Sequence, residues 1–305
     1  MGFLEAAIHE AKKRVRPYAV FDMDFTLTVN DTEITTEYTQ VVHHLFWMDE
    51  VTFEQGMRSY YPQGLSESAK AAVGSFQALS KQEERDPLLQ AAFQKAMFGV
   101  LREVDDFPGL ENCTFPNFLK MGLNRQELSC FTSLMLRHLL KEPVRSTCQG
   151  LSYPSGLRPN QVIVDVLHQL RQEGIGIAVV SASYETDVKA MVQALGLETE
   201  VDKICAVKDA FDSHGFVLPK NGDPSGLLPW KEGKVAVIQR DLVPYFGEEP
   251  SFAFGDSNSD VPMLTSFPRL ILAGISPYKN GENMLRLSKQ SSDRFEKGKT
   301  LVHQF

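Results

Sequence analysis

Hydrophobic and polar positions follow two different patterns along the chain. Residues 18–21 form a short apolar run that stops at a polar turn, and similar runs recur after residue 160, separated by segments with one apolar helical face. Short apolar runs that end at Gly, Asp or Ser predict buried strands. Their alternation with amphipathic helices predicts a parallel sheet with helices on its faces. The predicted fold class is therefore α/β, with a doubly wound, mostly parallel sheet.

The elements of the predicted sheet region follow from the apolar runs and the turn residues. Gly174 and Gly196 each come after an amphipathic segment, at the position where helices commonly end. Strands are predicted at 18–21, 175–180, 204–207, 252–254 and 270–273. Helices are predicted at 160–173, 185–195, 233–242 and 261–267, with a hairpin or long loop at 211–230.

Residues 33–150 show helical periodicity and no convincing strand. Asp86-Pro87 predicts a helix start, because Asp caps helices and Pro is favoured in their first turn. A second strong helical segment covers 125–140. We predict an all-helical cap domain at 33–150, inserted into a core domain formed by 1–32 and 151–305. With hinges near 29–33 and 150–158, the insertion is expected to form a lid.

The composition restricts the partners and the compartment. The net charge of −8 and the pI near 5.5 argue against nucleic-acid binding, which needs a clustered basic surface. The four cysteines have no zinc-ligand spacing, which predicts reduced thiols and a cytoplasmic location. Residues 1–14 lack the continuous apolar stretch of a signal peptide, and no apolar run is long enough to predict a membrane partner. A small anionic substrate fits this balance.

Two acidic clusters follow predicted strands. Asp22 and Asp24 come directly after strand 18–21, and Asp256 and Asp260 follow strand 252–254. Because ligands of open α/β sheets bind at the carboxyl ends of the strands, we expect these four acids to converge. Converging carboxylates repel one another unless a hard divalent cation neutralises them. The sequence therefore predicts Mg²⁺ and phosphate chemistry, with one carboxylate able to attack phosphorus and another to transfer protons.

Ser181 and two lysines are the candidates for binding a phosphate group. Ser181 follows the predicted strand 175–180, where its hydroxyl and nearby backbone N–H groups form an oxyanion cradle or, alternatively, cap the next helix. Lys234 lies at the start of a predicted helix, within reach of a phosphate oxygen, and Lys231 is its rival. The pattern leaves both alternatives open.

In this order and strand context, the motifs resemble the signature of the haloacid dehalogenase superfamily of phosphatases. The matching pieces are Asp-x-Asp-x-Thr at 22–26, a strand ending in Ser181, Gly-Lys at 233–234 and Gly-Asp-x-x-x-Asp at 255–260. The resemblance implies a Mg²⁺-dependent phosphatase with an aspartyl-phosphate intermediate, in which Asp22 is the nucleophile and Asp24 the acid and base.

The same resemblance implies the remaining site residues. The phosphate binders would be Ser181, Ala182 and Lys234. The metal ligands would be Asp22, the backbone carbonyl of Asp24, and Asp256. The residues that contact these ligands rather than the metal would be Thr26, Asn258 and Asp260.

Within that superfamily the chain resembles the phosphoserine and phosphocholine phosphatase branch, through residues 180–183, 233–235 and 254–260. The likeness implies a small phosphorylated metabolite of the phosphocholine, phosphoethanolamine or phosphoserine type. Asp31 and Glu33 lie where such enzymes place an acid that meets the substrate's ammonium group. Three cap aromatics either surround such a cation or pack inside the cap: Trp47, Tyr60 and Tyr61.

Two other functions fit parts of the sequence. A phosphotransferase or mutase on the same fold would pass the phosphoryl group to a substrate hydroxyl instead of water. A non-catalytic binding protein on a degenerate enzyme fold is disfavoured, because the acids at 22, 24, 256 and 260 are intact.

Overall fold

A computed structural model describes residues 3–82, 86–105 and 111–267, together with the strands at 272–275 and 301–304. Its α-helices, in chain order, are α1 (Phe3–Ala11), α2 (Thr32–His43), α3 (Glu50–Tyr60), α4 (Glu67–Leu79), α5 (Pro87–Asp105), α6 (Glu111–Leu119), α7 (Arg125–Leu139), α8 (Gln161–Gln172), α9 (Glu185–Ala194), α10 (Glu232–Val237), α11 (Val243–Phe246) and α12 (Val261–Ser266). A π-helical turn, Ile238–Leu242, joins α10 to α11.

The strands fall into one large sheet and two short hairpins. In chain order they are β1 (Tyr18–Phe21), β2 (Arg145–Cys148), β3 (Leu151–Pro154), β4 (Gly176–Tyr184), β5 (Lys203–Val207), β6 (Ala210–Phe211), β7 (Val217–Leu218), β8 (Phe252–Gly255), β9 (Leu272–Ile275) and β10 (Leu301–Gln304). The large sheet has the order β10-β9-β8-β1-β4-β5, and every neighbouring pair in it is parallel. The predicted α/β fold class is confirmed.

The chain divides into two compact units. The sheet unit comprises Met1–Thr32, Leu157–Lys208 and Gly222–Phe305, and the helical unit comprises Glu33–Gly156 and Asp209–Asn221. The predicted division put residues 209–221 with the core, whereas their contacts group them with the helices. The reason is a long-range contact: the Val217 N–H donates to the Leu123 carbonyl over 3.0 Å, and Val217 packs with Leu123 and Leu128.

Strand β1 lies inside the large sheet, and all four of its residues are buried. It pairs with β8 on one side and with β4 on the other, with Phe21 opposite Phe254 and Val179 respectively. The rings of Phe21 and Phe254 stack with centroids 4.3 Å apart. Parallel pairing therefore brings the carboxyl ends of β8, β1 and β4 to the same edge, where the predicted site residues follow the strands.

The helical unit is built around aromatic side chains from several helices. Phe53, Phe76 and Phe93 are almost completely buried, and the rings of Phe53 and Phe76 stack with centroids 4.1 Å apart. Helix α5 begins after Asp86 as predicted, since the Asp86 carboxylate accepts the Leu88 N–H over 2.8 Å. Leu88 itself is exposed, because the first-turn position faces away from this core.

Helical periodicity did not predict the hairpin of β2 and β3, which the helical unit contains in addition to its helices. Its two turn residues, Gln149 and Gly150, have φ angles of 50° and 73°. Two consecutive positive φ angles are typical of the tight turns that join antiparallel strands. The pattern concealed this hairpin because the exposed side chains of β2 carry no buried apolar face.

The predicted cap aromatics pack within the helical unit. Tyr60 is buried, and its ring lies against Phe115 with centroids 5.0 Å apart. The Tyr61 hydroxyl donates to Glu103 over 2.7 Å, and Trp47 meets Phe131 edge to face. For Tyr60 and Tyr61, of the two alternatives, these contacts support packing inside the unit, whereas Trp47 remains 42% exposed. Among the described residues, no helix combines the length and apolar character that crossing a membrane requires.

Candidate active site

Asp22 is the first residue beyond β1, and the sheet fixes its backbone. Its N–H donates to the Phe254 carbonyl over 2.9 Å, which continues the pairing of β1 with β8 by one residue. The chain then turns sharply through Met23–Leu27, where Phe25 adopts a left-handed φ of 57°. This turn redirects the chain directly after Asp22, so that Asp22 and Asp24 have different surroundings.

Lys234 joins two carboxylates from different parts of the chain. Its Nζ lies 2.6 Å from Asp22 Oδ1 and 2.5 Å from Asp260 Oδ1. The lysine is 1% exposed, Asp22 is 6% exposed and Asp260 is fully buried. Short charge-assisted hydrogen bonds of this kind compensate part of the free-energy cost of burying the three charges.

The charged groups in this cluster shift one another's pKa values. Burial raises the pKa of Asp22 to about 7, the charge of Asp260 adds to the rise, and Lys234 opposes it. Burial lowers the pKa of Lys234, but the charges of Asp22 and Asp260, with their hydrogen bonds, raise it above its ordinary value. The lysine is therefore a permanent cation beside two acids, and the cluster can accept further positive charge.

A strained turn just before Lys234 places its side chain beside Asp22 and Asp260. Lys231, just before α10, has a positive φ of 51°, and a Cβ at Gly233 would lie 1.8 Å from the Leu228 carbonyl oxygen. Only glycine fits at such a distance. Lys231 points elsewhere, with its Nζ 3.9 Å from the centre of the Trp230 ring. Of the two candidate lysines, Lys234 is the one that the structure brings to Asp22.

The loop after β8 holds Asp256 and Asp260 together. Asp260 Oδ2 accepts the backbone N–H groups of Asp256 and Ser257, each over 3.1 Å, while Oδ1 accepts from Lys234. A Cβ at Gly255 would lie 2.5 Å from the Asp260 Cβ, so glycine is required before Asp256. Asp260 thus stabilises the loop and the lysine with its two oxygens.

Three carboxylates of the site are close enough to share a cation. Ligand oxygens of Asp22, Asp256 and Asp260 all lie within 4.8 Å of one another, and all three residues are buried. A cluster of carboxylate oxygens without sulfur or imidazole suits a hard divalent ion. Because both oxygens of Asp260 already accept hydrogen bonds, Asp22 and Asp256 are better placed as direct ligands.

Asp24 has a different environment from Asp22. Its Oδ1 accepts the backbone N–H of Thr32, the first residue of α2, over 2.7 Å. Its Oδ2 accepts the hydroxyl of Ser183 over 2.7 Å. These donors are neutral, whereas Asp22 bonds to a lysine. Two acids only two residues apart are therefore held in distinct ways, which is the arrangement needed for two distinct chemical roles.

The structure corrects the expected position of Ser181. Strand β4 does not end at 180 but continues to Tyr184, and α9 begins at Glu185, so Ser181 is no helix cap. Between Val180 and Tyr184 the pairing of β4 with β5 shifts register. The irregularity spans Ser181, which is buried, and Ala182, which is half-buried. Such irregularities often re-aim side chains beside active sites.

Ser183 belongs to the stretch 180–183 on which the resemblance rests, but no role in the candidate site was predicted for it. Its hydroxyl contacts Asp24, and its N–H donates to the Ser181 hydroxyl oxygen over 3.1 Å. The available signal was the Ser-x-Ser spacing, because residues two apart on a strand point to the same side. The predicted strand end at 180 concealed this signal.

The remaining predicted residues occupy varied positions. Thr26 is fully buried, and within the described part of the chain its hydroxyl has no hydrogen-bond partner. Asn258 is exposed at the start of a short 3₁₀ turn. Asp31 is half-buried just before α2, and Glu33 is buried in the first turn of α2.

Comparisons with known proteins agree with this architecture. The chain is similar to a functionally unknown protein from Anaerococcus prevotii DSM 20548, with 21% identity, a TM-score of 0.77, and coverage of 95% of this chain and 88% of that chain. It is also similar to a protein of unknown function from Bordetella pertussis Tohama I, with 14% identity, a TM-score of 0.57, and coverage of 95% and 99%. These likenesses establish the fold. Among curated proteins no match is found.

A family model identifies the chain more directly. The model of the haloacid dehalogenase-like hydrolases matches residues 104–265, which is more than half of the chain. The match includes Ser181, Lys234, Asp256 and Asp260. It confirms the predicted superfamily and the prediction that the protein is an enzyme. The chain belongs to the haloacid dehalogenase-like hydrolase family.

Proposed function

We propose that the protein is a Mg²⁺-dependent phosphomonoester hydrolase that acts through an aspartyl-phosphate on Asp22. The observation that carries the proposal is the pair of differently held acids. Asp22 is buried against Lys234, with Nζ 2.6 Å from Oδ1, and Asp24 is held by neutral donors. A phosphatase of this kind needs one carboxylate to attack phosphorus and a second to transfer protons.

The proposed Mg²⁺ site consists of Asp22, Asp256 and the backbone carbonyl of Asp24. The support is the cluster of buried carboxylate oxygens within 4.8 Å of one another. When bound, Mg²⁺ would neutralise negative charge on the acids and on the phosphoryl oxygens. Asp260 would hold Lys234 and the loop, and Thr26 and Asn258 would support the ligands.

In the first step, an Asp22 oxygen forms a bond to phosphorus and the ester P–O bond breaks. The electron pair of that bond stays on the ester oxygen, which takes a proton from the Asp24 carboxyl group, and the alcohol leaves. Ser181, the Ala182 backbone and Lys234 bind the phosphoryl oxygens during this transfer. The ammonium group of Lys234 and the hydroxyl and N–H donors stabilise the negative charge that spreads over the phosphoryl oxygens.

In the second step, water replaces the alcohol. Asp24, now a carboxylate, takes a proton from water as the water oxygen bonds to phosphorus, and the bond from phosphorus to Asp22 breaks. Inorganic phosphate leaves, and both acids return to their starting forms. Two steps of moderate barrier thus replace one that is very slow without catalysis.

For the substrate, we propose a small metabolite whose alcohol part carries a cation, of the phosphocholine, phosphoethanolamine or phosphoserine type. The support is the resemblance of the motifs to that branch and the two acids Asp31 and Glu33 at the start of α2. A substrate ammonium group could form charge-assisted hydrogen bonds or ion pairs with them. We also propose a cytoplasmic location, which the spacing of the cysteines predicts.

A panel of phosphomonoesters tests the function directly. The purified protein would be incubated with phosphocholine, phosphoethanolamine, phosphoserine, sugar phosphates and p-nitrophenyl phosphate, with Mg²⁺ or with excess chelator. We expect inorganic phosphate release that needs Mg²⁺ and no added acceptor, with the cationic esters preferred. Transfer of the phosphoryl group to an added acceptor alcohol, forming a new ester without release of inorganic phosphate, would instead identify a phosphotransferase. No release of inorganic phosphate from any ester would contradict phosphomonoesterase activity.

A further inference from the structure

The carboxyl group of Asp24 is held at both of its oxygens. The Thr32 N–H binds Oδ1 and the Ser183 hydroxyl binds Oδ2, each over 2.7 Å. Two hydrogen bonds at opposite ends of a planar group fix its rotation as well as its position. A single contact would leave the carboxyl group free to turn about its bond to Cβ.

Ser183 is itself rigidly placed. It is 4% exposed, it belongs to β4, and its N–H is bound by the Ser181 hydroxyl oxygen over 3.1 Å. It lies in the irregular part of β4, between the paired residues Val180 and Tyr184. A local distortion of the strand therefore presents this hydroxyl to Asp24.

We propose that Ser183 is a positioning residue for Asp24, setting the orientation in which Asp24 meets the leaving oxygen of the substrate. The proposal rests on the proposed phosphomonoesterase function. A hydroxyl suits the task because it can donate a hydrogen bond and also accept one. Once Asp24 has given up its proton, Ser183 donates to Oδ2 of the carboxylate, as it does in the structure, and so keeps the orientation in which Asp24 next takes a proton from water.

The role predicts an effect that depends on the leaving group. Breaking an ester bond to an alkyl alcohol needs a proton from the acid, because an alkoxide is a poor leaving group. Breaking the bond to p-nitrophenol does not need one, because p-nitrophenolate leaves readily as an anion. A misplaced Asp24 should therefore slow the first step for alkyl esters and leave it nearly unchanged for the nitrophenyl ester.

The experiment compares Ser183→Ala with wild-type enzyme on the best alkyl ester of the panel and on p-nitrophenyl phosphate. Single-turnover release of the alcohol measures the first step separately from hydrolysis of the intermediate. We expect a loss of about ten- to a hundred-fold for the alkyl ester, part of the full effect of a general acid. For p-nitrophenyl phosphate we expect a change of less than about three-fold, since its transition state needs little proton transfer.

Three further variants make the result interpretable. Ser183→Thr keeps a hydroxyl and should retain most of the wild-type rate on the alkyl ester. Ser183→Cys has a weaker donor, so its ratio of the alkyl-ester rate to the nitrophenyl-ester rate should lie between those of wild type and Ser183→Ala. This variant replaces Ser183→Ala in the comparison if the alanine variant folds poorly. Ser251→Ala is the matched control, because Ser251 is a fully buried serine whose hydroxyl accepts from Arg14 over 2.8 Å. It removes a buried hydroxyl without touching Asp24 and should leave the ratio of the two rates unchanged.

Two results would overturn the role of Ser183 in an enzyme that is otherwise an active phosphatase. Equal losses for both esters would assign Ser183 to phosphate binding or to the fold. Unchanged rates for both would mean that Thr32 alone orients Asp24. Failure of the proposed function is distinguishable, because it would appear as absence of phosphate release in the wild-type enzyme itself.

Discussion

Each unit of the molecule contains one distinctive buried cluster, and the two clusters differ in kind. The sheet unit buries Asp22, Lys234, Asp256 and Asp260 at the carboxyl ends of its central strands. The helical unit buries aromatic rings, with Phe53 and Phe76 stacked 4.1 Å apart. Both units bury apolar side chains, but the sheet unit also bears the free-energy cost of taking a cluster of charges out of water, whereas burial of the ring cluster in the helical unit gains free energy.

This difference separates function from stability. Buried charges rarely stabilise a fold more than well-packed apolar groups would, so a cluster of four is best explained by chemistry. Stacked and edge-to-face rings contribute both buried area and favourable geometry. Substitutions in the charged cluster should therefore remove activity first, and substitutions among the rings should remove stability first.

The largest expected effect comes from Asp22→Asn. The amide has nearly the shape of the acid but cannot attack phosphorus, so turnover should fall by about a thousand-fold or more. The fold should persist, because Lys234 keeps its bond to Asp260. Steady-state phosphate release and a thermal melt measure the two properties. Activity above about a tenth of wild type would be inconsistent with a nucleophilic Asp22.

Removal of divalent ions should have an effect of similar size on activity. With excess chelator, phosphate release should cease, because nothing would neutralise the acids of the site and the phosphoryl oxygens together. Mg²⁺ should restore it, whereas Ca²⁺ should not, since the larger ion takes more ligands at longer distances. Full activity in chelator would show that the acids work without a metal.

A ring substitution in the helical unit should give the reverse result. Phe76→Ala should lower the free energy of unfolding by about 3–5 kcal/mol, the usual cost of emptying an aromatic site in a core. Denaturant titration measures this loss. Phe216→Ala, at a ring 41% exposed in the same unit, is the matched control and should change stability by less than about 1 kcal/mol.

The Phe76 variant also sharpens the comparison through its activity. Asp22, Asp24, Asp256, Asp260, Lys234 and Ser183 all belong to the sheet unit. The first-step rate of folded Phe76→Ala on p-nitrophenyl phosphate should therefore stay within about three-fold of wild type. A loss of activity comparable to that of Asp22→Asn would contradict the claim that the ring cluster contributes to stability and not to catalysis.

The smallest expected effect concerns a charge outside the cluster. Asp223 lies 2.9 Å from Arg240, and a hydrogen bond from Ser225, with help from Arg240, lowers its pKa to about 2. Since the folded pKa lies below the ordinary 3.8, the stabilisation is complete above about pH 4 and decreases as the pH falls toward 2. Asp223→Asn should cost ~1 kcal/mol or less at pH 7, as is typical of surface pairs.

Unfolding curves for wild type and Asp223→Asn at pH 7, 5 and 3 would follow this decrease. The difference in stability between the two proteins should be equal at pH 7 and 5 and smaller at pH 3. A difference that grows on acidification would mean that the carboxylate is not held in its charged form by these contacts.

Residues in short motifs that follow a strand could be predicted from the sequence, whereas contacts between distant segments could not. Tyr18–Phe21 is a strand at the predicted residues, and Asp22 and Asp256 follow strands as predicted. The assignment of residues 209–221 depended on the contact of Val217 with Leu123, which no local pattern contains. The contact of Ser183 with Asp24 was not predicted, because β4 continues four residues beyond its apolar run. The two serines there belong to the candidate site and not to the apolar core, so hydrophobic periodicity does not include them.

The central claim is that Asp22 becomes phosphorylated during turnover. Wild-type enzyme would be mixed with p-nitrophenyl phosphate and Mg²⁺, quenched in acid during the first turnover and digested, and the peptides analysed by mass spectrometry. We predict one added phosphoryl group on the peptide that contains Asp22, located to that residue by fragmentation, and none in Asp22→Asn. Phosphate release by active enzyme with no phosphorylated Asp22 at any quench time, or with the group on another residue, would contradict the account.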